Sequence, residues 1–130
     1  WTVPKDKSKT KVKIVRPLAS KAMEIIKWQI DTFGGFADYI FPSGSYKQKI
    51  SPQTINKLSR SVVKDLNMER WSCHDFRRSL STILSAKGVE LHVTEKMLGH
   101  SLGGILAVYN KHDWLKEQKG AYELWESLIL

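Results

Sequence analysis

Apolar residues recur at intervals of three and four along most of the chain after residue 18, a spacing that is typical of helices with one buried face. Pro52 follows a serine and is favoured at the first position of a helix, while Gly88 and Gly99 fall where helical patterns stop. The pattern predicts helices over residues 20–31, 52–66, 72–87, 90–98 and 114–129, and a short helix over 105–110. Asp113 is the predicted cap of the helix over 114–129.

The first 18 residues follow a different pattern. β-Branched and alternating side chains at 1–3 and 12–16 flank a polar stretch around Asp6, which predicts a β-hairpin. The turn lacks the Asn-Gly or Asp-Gly pair of the tightest hairpins. Because the segment is rich in lysine, a disordered basic arm is the alternative.

These elements together predict a mainly helical α+β fold with one small β-hairpin. A chain of 130 residues is long enough for one domain, or for part of one. We therefore expect a single partial domain over residues 1–130, with the basic hairpin at 1–18 and the helical part at 19–130. Because the chain enters a strand-like stretch directly after Trp1, we expect it to be an excised piece of a longer protein.

Composition narrows the class of protein. The chain contains 21 Lys and Arg against 13 Asp and Glu, a net charge of +8 that is compatible with a polyanionic partner. Its longest apolar runs are shorter than a membrane span needs. Cys73 is the only cysteine, so an intramolecular disulfide is excluded and a reducing compartment is expected. A merely basic protein without a nucleic-acid partner remains the alternative on charge alone.

Four residues between 73 and 110 carry the candidate chemistry. His74 and Arg77 are three positions apart at the start of a predicted helix, so both share one face of its first turn. His100 follows Gly99, and Tyr109 comes after a glycine-rich connection. A guanidinium binds phosphate oxygens at two points, imidazole can donate to them or move protons, and a phenol oxygen can act as a nucleophile. This set predicts a phosphate-directed nucleophilic site that needs no metal or other cofactor.

At these positions the sequence resembles the tyrosine recombinases, and in particular the prophage-type phage integrases. The stretch from His74 to Arg78 is similar to the H-x-x-R box of that family, and residues 98–101 are similar to its L-G-H box. Residues 107–109 resemble the segment that carries the family's nucleophile. The order of the motifs and both intervals between them fit.

The resemblance implies a role for each residue in cutting and rejoining DNA through a 3′-phosphotyrosyl intermediate. Tyr109 would be the nucleophile, and Arg77 and His100 would bind the phosphate. His74 would transfer or orient a proton near the nucleophile. The hairpin of the family carries a catalytic lysine that protonates the leaving 5′-oxygen, and alignment on the flanking prolines identifies it as Lys9.

Lys7 and Lys11 remain alternatives for the hairpin lysine. On a regular strand, residues two positions from Lys9 would lie on the same face, so the alignment could be wrong by one pleat.

The resemblance covers the carboxy-terminal part of the family's catalytic domain, truncated on the amino-terminal side. The family has a further arginine ahead of the hairpin, together with an acidic residue. This sequence begins at Trp1, within the predicted hairpin, and so does not include either of them. We therefore expect the fragment alone to be impaired. For the intact protein the resemblance implies double-stranded DNA attachment sites, a homotetramer on DNA, accessory DNA-bending or excision proteins, and a cytoplasmic, nucleoid-associated location. In the family the last helix docks on a neighbouring subunit. Here it could do so or pack on its own subunit, and the sequence leaves both arrangements open.

Two other functions compete with recombination. A type IB topoisomerase would use the same chemistry without integration. A basic helical module could bind DNA without catalysis.

Overall fold

A computed structural model describes residues 1–100 and 112–130, which form two compact units. The first unit combines residues Trp1–Ser20 with Ser79–Leu130, and the second is Lys21–Arg78. The predicted helix over 105–110 lies outside the described residues. The expectation of a single partial domain stays a prediction.

The described residues are mainly helical with one small sheet, which confirms the predicted fold class. No helix among them is long and apolar enough to cross a membrane. In chain order the elements are β1 Thr2–Val3, β2 Ile14–Val15, α1 Ser20–Phe33, α2 Pro52–Asp65, α3 Cys73–Ala86, α4 Leu91–Leu98 and α5 Leu115–Ile129.

The hairpin forms, but its strands are shorter than the pattern predicted. Strands β1 and β2 pair antiparallel, with Thr2 opposite Val15 and Val3 opposite Ile14. The chain between them contains a 3-10 helix, Lys5–Lys7, followed by turns. The assumption that the candidate lysines share one face of a strand is therefore wrong, because the backbone that carries them is not extended.

The first unit has a small apolar core. Leu84 of α3 is fully buried, and Val93 and Met97 of α4 and Ala121 of α5 complete the buried cluster. Val93 and Met97, four positions apart, thus form the buried face that the helical pattern predicted for this element. Because these residues lie at helical spacing on elements far apart in sequence, their burial holds α3, α4 and α5 together within this unit.

Helix α5 does not begin as predicted. Its cap is Trp114, in the left-handed conformation with φ of 54°, and no side chain caps the helix. Asp113, the predicted cap, instead lies 3.7 Å from the Lys96 ammonium through its carboxylate. The Trp114 ring packs between the rings of His92 and His112, at 4.4 and 4.9 Å between centroids. These contacts compensate for a backbone conformation that bulky residues rarely adopt.

The second unit leaves more apolar surface exposed than the helical pattern predicted. Phe33, at the end of α1, packs against the rings of Trp28, Phe36 and Tyr46. These aromatic contacts leave much of the apolar stripe of α1 uncovered, including Met23 and the larger part of Trp28. The buried face that the apolar periodicity predicted for this helix is therefore wrong for the described residues, because no residue of α1 is fully buried.

Helix α2 begins as the sequence predicted. Ser51 precedes it, and the Ser51 hydroxyl accepts a hydrogen bond of 3.1 Å from the backbone N–H of Thr54. This bond satisfies one of the N–H groups that a helix start leaves open, and Pro52 has no N–H to satisfy.

One carbonyl joins three elements of the first unit. The Met97 carbonyl oxygen accepts a hydrogen bond of 2.7 Å from Arg16 Nε and one of 3.0 Å from the Tyr122 hydroxyl. It lies in the last turn of α4, where carbonyls have no partner within the helix. Arg16 directly follows β2, and its guanidinium also lies 5.1 Å from the centre of the Trp1 ring. The hairpin, α4 and α5 therefore meet at one backbone atom.

The turn after α4 favours glycine for two separate reasons. Gly99 has φ of 73°, and its N–H and that of His100 bond back to the carbonyls of Lys96 and Glu95 in the Schellman arrangement. A Cβ on Gly99 would also lie 2.5 Å from a terminal nitrogen of Arg16. Gly88 has a similar φ of 83°, but a Cβ there would meet nothing within 4 Å.

We expect Gly99→Ala to destabilise the protein more than Gly88→Ala does. Both changes force alanine into the left-handed region, at about 1–2 kcal/mol each. Only Gly99→Ala also displaces the Arg16 guanidinium and weakens its bond to Met97. Gly120→Ala, inside α5 and in open space, should stabilise by about 0.5–1 kcal/mol.

Urea unfolding of the three variants measures these differences. Equal losses of unfolding free energy for Gly99→Ala and Gly88→Ala would contradict the proposed effect of the Arg16 contact. The extra loss at Gly99 should also shrink in an Arg16→Met background, because the displaced bond is already absent there.

Candidate active site

The start of α3 is fixed by two hydrogen bonds from Ser72 to the Asp75 carboxylate. The Asp75 carboxylate accepts hydrogen bonds from the Ser72 N–H at 2.9 Å and from the Ser72 hydroxyl at 2.8 Å. Ser72 directly precedes the helix, so this is the capping arrangement in which an acidic residue in the first turn bonds back to the residue before it. Because this contact fixes the first turn, it also fixes the backbone of the candidate residues on that turn.

Asp75 has a second partner and a perturbed pKa. Arg78 Nη1 lies 3.4 Å from its other carboxylate oxygen, on the exposed surface. The hydrogen bond from the Ser72 backbone lowers the pKa of Asp75 below its ordinary 3.8, and the Ser72 hydroxyl and Arg78 lower it further. Arg78 thus contacts the residue that caps the start of α3.

His74 and Arg77 lie on the first turn of α3, as the sequence predicted. His74 is exposed and Arg77 is half-buried. At three residues apart on a helix the two side chains share one face. The amino end of a helix favours negative charge, because its N–H groups and its dipole both point toward an anion there. This turn therefore combines a guanidinium, an imidazole and a favourable backbone for binding a phosphate.

His100 lies just beyond α4 and belongs to the other unit, with Lys9. Its backbone N–H donates to the carbonyl of Glu95 at 2.9 Å, and its ring Nδ1 lies 2.8 Å from a carboxylate oxygen of the same residue. The ring is half-exposed. His100 is thus held at two points by one residue of α4, on a turn whose shape depends on Gly99.

Lys9 occupies the second position of a tight turn. The Lys11 N–H donates to the Ser8 carbonyl at 3.1 Å, and the hydroxyls of Ser8 and Thr10 are 3.0 Å apart. Ser8 is buried, whereas Lys9 is exposed. Hydrogen-bonded neighbours therefore fix the backbone on both sides of Lys9. Lys11 has φ of 55° at the end of the turn.

Tyr109 lies outside the described residues, so its proposed role stays a prediction from sequence. Within residues 1–100 and 112–130, no three His, Cys, Asp or Glu side chains are grouped as they would be around a metal ion.

Two of the contacts around these residues went unnoticed in the sequence, although one has a recognisable pattern. Ser72 and Asp75 form the S-x-x-D spacing of a capping box directly before an apolar run, which could have identified the helix start. Glu95 carries no comparable signal. On a continuous helix, side chains five residues apart do not meet. Glu95 reaches His100 only because the chain reverses at Gly99.

Comparison with known proteins agrees with the motifs. Residues 1–115 match the model of the phage integrase family. This match spans most of the chain and includes His74, Arg77, His100, Tyr109 and Lys9. The chain therefore belongs to the phage integrase family.

Two curated relatives are named for the same kind of protein. A probable integrase/recombinase of Acholeplasma phage L2 is 26% identical over 106 residues, which cover 82% of this chain and 36% of that protein. A tyrosine recombinase of Thermosipho africanus (strain TCF52B) is 30% identical over 94 residues, covering 72% and 32% respectively. The chain thus matches about a third of the length of each relative. No solved structure matches it.

We expect Asp75→Asn to remove a pH-dependent part of the stability. Because folding lowers the pKa of Asp75, its carboxylate stabilises the folded state above pH 3.8, and this contribution is lost as the pH falls through the lower folded-state pKa. Wild type should therefore exceed Asp75→Asn in free energy of unfolding near neutral pH, and the difference should shrink in acid.

Urea unfolding between about pH 6 and pH 2 measures that difference. Asp38→Asn, at another exposed acidic residue of the same unit, is the matched control. A difference between wild type and Asp75→Asn that stays constant across this range would contradict the assignment.

Proposed function

We propose that the protein containing this chain is a site-specific DNA recombinase that cuts and rejoins strands through a 3′-phosphotyrosyl intermediate, without metal or nucleotide. The observation that carries the proposal is the family match over residues 1–115, a range within which all five candidate residues lie. The net charge of +8 and the anion-favouring first turn of α3 agree with a DNA phosphate as the substrate.

The phosphate is bound by Arg77 and His100. The Arg77 guanidinium presents two parallel N–H groups to the non-bridging oxygens and stabilises the charge that develops on them. His100 donates a hydrogen bond to the same phosphate. Stabilisation of developing charge is usually a large contribution to transfers of this kind.

The nucleophile and the leaving group need opposite proton movements. The Tyr109 oxygen loses its proton, with His74 as the accepting or orienting group, and forms a bond to phosphorus. The bond from phosphorus to the 5′-oxygen breaks, and Lys9 supplies the proton that this oxygen needs. One phosphodiester becomes one phosphotyrosyl ester and one 5′-hydroxyl, so the step is reversible. Attack by a different 5′-hydroxyl completes recombination.

The proposal concerns the whole protein rather than this chain alone. The curated relatives are about three times as long as the region that matches. We propose double-stranded attachment sites as substrates, a homotetramer as the active assembly, accessory DNA-bending or excision proteins as partners, and association with the nucleoid. Impairment of the 130-residue chain by itself stays a prediction.

We expect Tyr109→Phe to abolish covalent attachment to DNA in the intact protein. A nicked suicide substrate releases a short 5′-hydroxyl strand after cleavage, so rejoining is prevented and the adduct accumulates on a denaturing gel. Tyr39→Phe, at an exposed tyrosine of the second unit, is the matched control and should form adducts as wild type does.

Adduct formation by Tyr109→Phe would contradict the nucleophile. The complete failure of wild type to form adducts would favour a binding module without catalysis. Relaxation of supercoiled DNA of any sequence, without integration, would favour a type IB topoisomerase.

We expect Lys9→Ala to slow cleavage by about 10²- to 10⁴-fold, the usual contribution of a general acid. A substrate with sulfur in place of the bridging 5′-oxygen should restore most of the rate, because a thiolate leaves without a proton. Lys7→Ala and Lys11→Ala are the controls and should respond little to sulfur. If sulfur restores the cleavage rate of Lys7→Ala or Lys11→Ala, and not that of Lys9→Ala, the lysine replaced in the restored variant is the general acid.

A further inference from the structure

Glu95 contacts His100 through both its backbone and its side chain. Its carbonyl accepts the His100 N–H at 2.9 Å, and its carboxylate lies 2.8 Å from the ring Nδ1. The Glu95 side chain is only 28% exposed, against 50% for that of His100, so the contact lies nearer the interior than the ring's outer edge does.

This contact determines which ring nitrogen can meet a phosphate. An ionised carboxylate only accepts hydrogen bonds, so Nδ1 must carry the hydrogen between them. Any hydrogen bond from the ring to DNA must then involve Nε2. The neutral ring in this tautomer has a lone pair on Nε2 and cannot donate from it. Donation to a phosphate therefore requires the imidazolium, whose charge the Glu95 carboxylate balances.

We propose that Glu95 is a positioning residue for the phosphate-binding site. It holds Nδ1 of His100, directs Nε2 to the scissile phosphate and makes the imidazolium the donating form. The inference rests on the proposed function, since it assumes that His100 contacts the phosphate. We assign Glu95 no direct contact with the reacting atoms, because its carboxylate acts through the His100 ring.

The turn that carries His100 does not depend on the Glu95 carboxylate. Its shape comes from two backbone hydrogen bonds and from the left-handed conformation of Gly99. Neighbouring charges have their own partners, because Arg16 bonds to the Met97 carbonyl and Lys96 lies 3.7 Å from Asp113. Removing the carboxylate should therefore remove the acceptor from Nδ1 of the ring and leave the turn intact, which makes positioning separable from folding.

The first measurement is the tautomer of the His100 ring in the intact protein. It is observed through the ¹⁵N resonances of the ring, at a pH high enough for the ring to be neutral. In wild type the Nδ1–H tautomer should dominate. In Glu95→Ala the signals should move toward the Nε2–H tautomer. Glu117→Ala, at an exposed glutamate in the first turn of α5, is the matched control and should leave the signals unchanged.

The second measurement is single-turnover cleavage of the suicide substrate. We expect Glu95→Ala to lower the rate roughly 10- to 100-fold, the cost that is typical when a metal-binding imidazole loses the group that orients it. In a His100→Ala background the same change should cost almost nothing, because Glu95 acts through His100. A merely structural glutamate would slow both backgrounds equally.

Three results would overturn the inference: unchanged ring signals in Glu95→Ala, wild-type cleavage despite altered signals, or an equal loss in the His100→Ala background. Failure of the proposed function would look different. In that case wild type forms no covalent product, or Tyr109→Phe still forms one, whatever tautomer the ring adopts.

Discussion

The Met97 carbonyl oxygen is the atom on which the arrangement of the first unit depends. Arg16 and Tyr122 donate to it at 2.7 and 3.0 Å, from the hairpin side and from α5. A carbonyl in the last turn of a helix needs a partner from elsewhere, and here it has two. Because Arg16 is charged, its bond is stronger than an ordinary neutral hydrogen bond such as the one from Tyr122. The Arg16 bond also places its guanidinium so close to Gly99 that a side chain at this position would have to displace it.

Helix ends supply the candidate chemistry on both units. His74 and Arg77 follow an amino end that Ser72 and Asp75 cap, and His100 follows a carboxyl end that Gly99 closes. In each case backbone hydrogen bonds fix the chain within a residue or two of the functional side chain. Side chains that bind phosphate need such fixed backbones, since a displacement of about 1 Å can cost a hundredfold in rate. The same rule applies to Lys9, whose turn is bonded on both sides.

Helical periodicity predicted the bounds of α2, α3 and α4 well, because proline, glycine and capping residues mark their ends. It failed where tertiary contacts override local preference. Asp113 has good capping chemistry, but its carboxylate pairs with Lys96, and ring packing holds Trp114 at the helix start instead. The stripe of α1 also looked like core, although the aromatic rings beside it pack largely on one another.

The positions of the candidate residues were predictable to a similar degree. The sequence places His74 and Arg77 on the first turn of α3 and His100 after Gly99, since spacing along one helix turn and a glycine stop are local properties; their roles stay predictions. Contacts that depend on the reversal at Gly99, such as the pair between Glu95 and His100, could not be derived from spacing. The lysine choice shows the same limit. An argument from strand alternation fails when the hairpin is mostly turn.

The central claim is that the Tyr109 oxygen becomes covalently bound to DNA. Mass spectrometry of trypsin-digested suicide complexes tests it directly, because the peptide between Lys96 and Lys111 contains Tyr109 and no other tyrosine. We predict that the DNA adduct is found on this peptide, at Tyr109, and that the attached strand ends in a 3′-phosphate. An adduct on any other residue, or a linkage through a 5′-phosphate, would contradict the account.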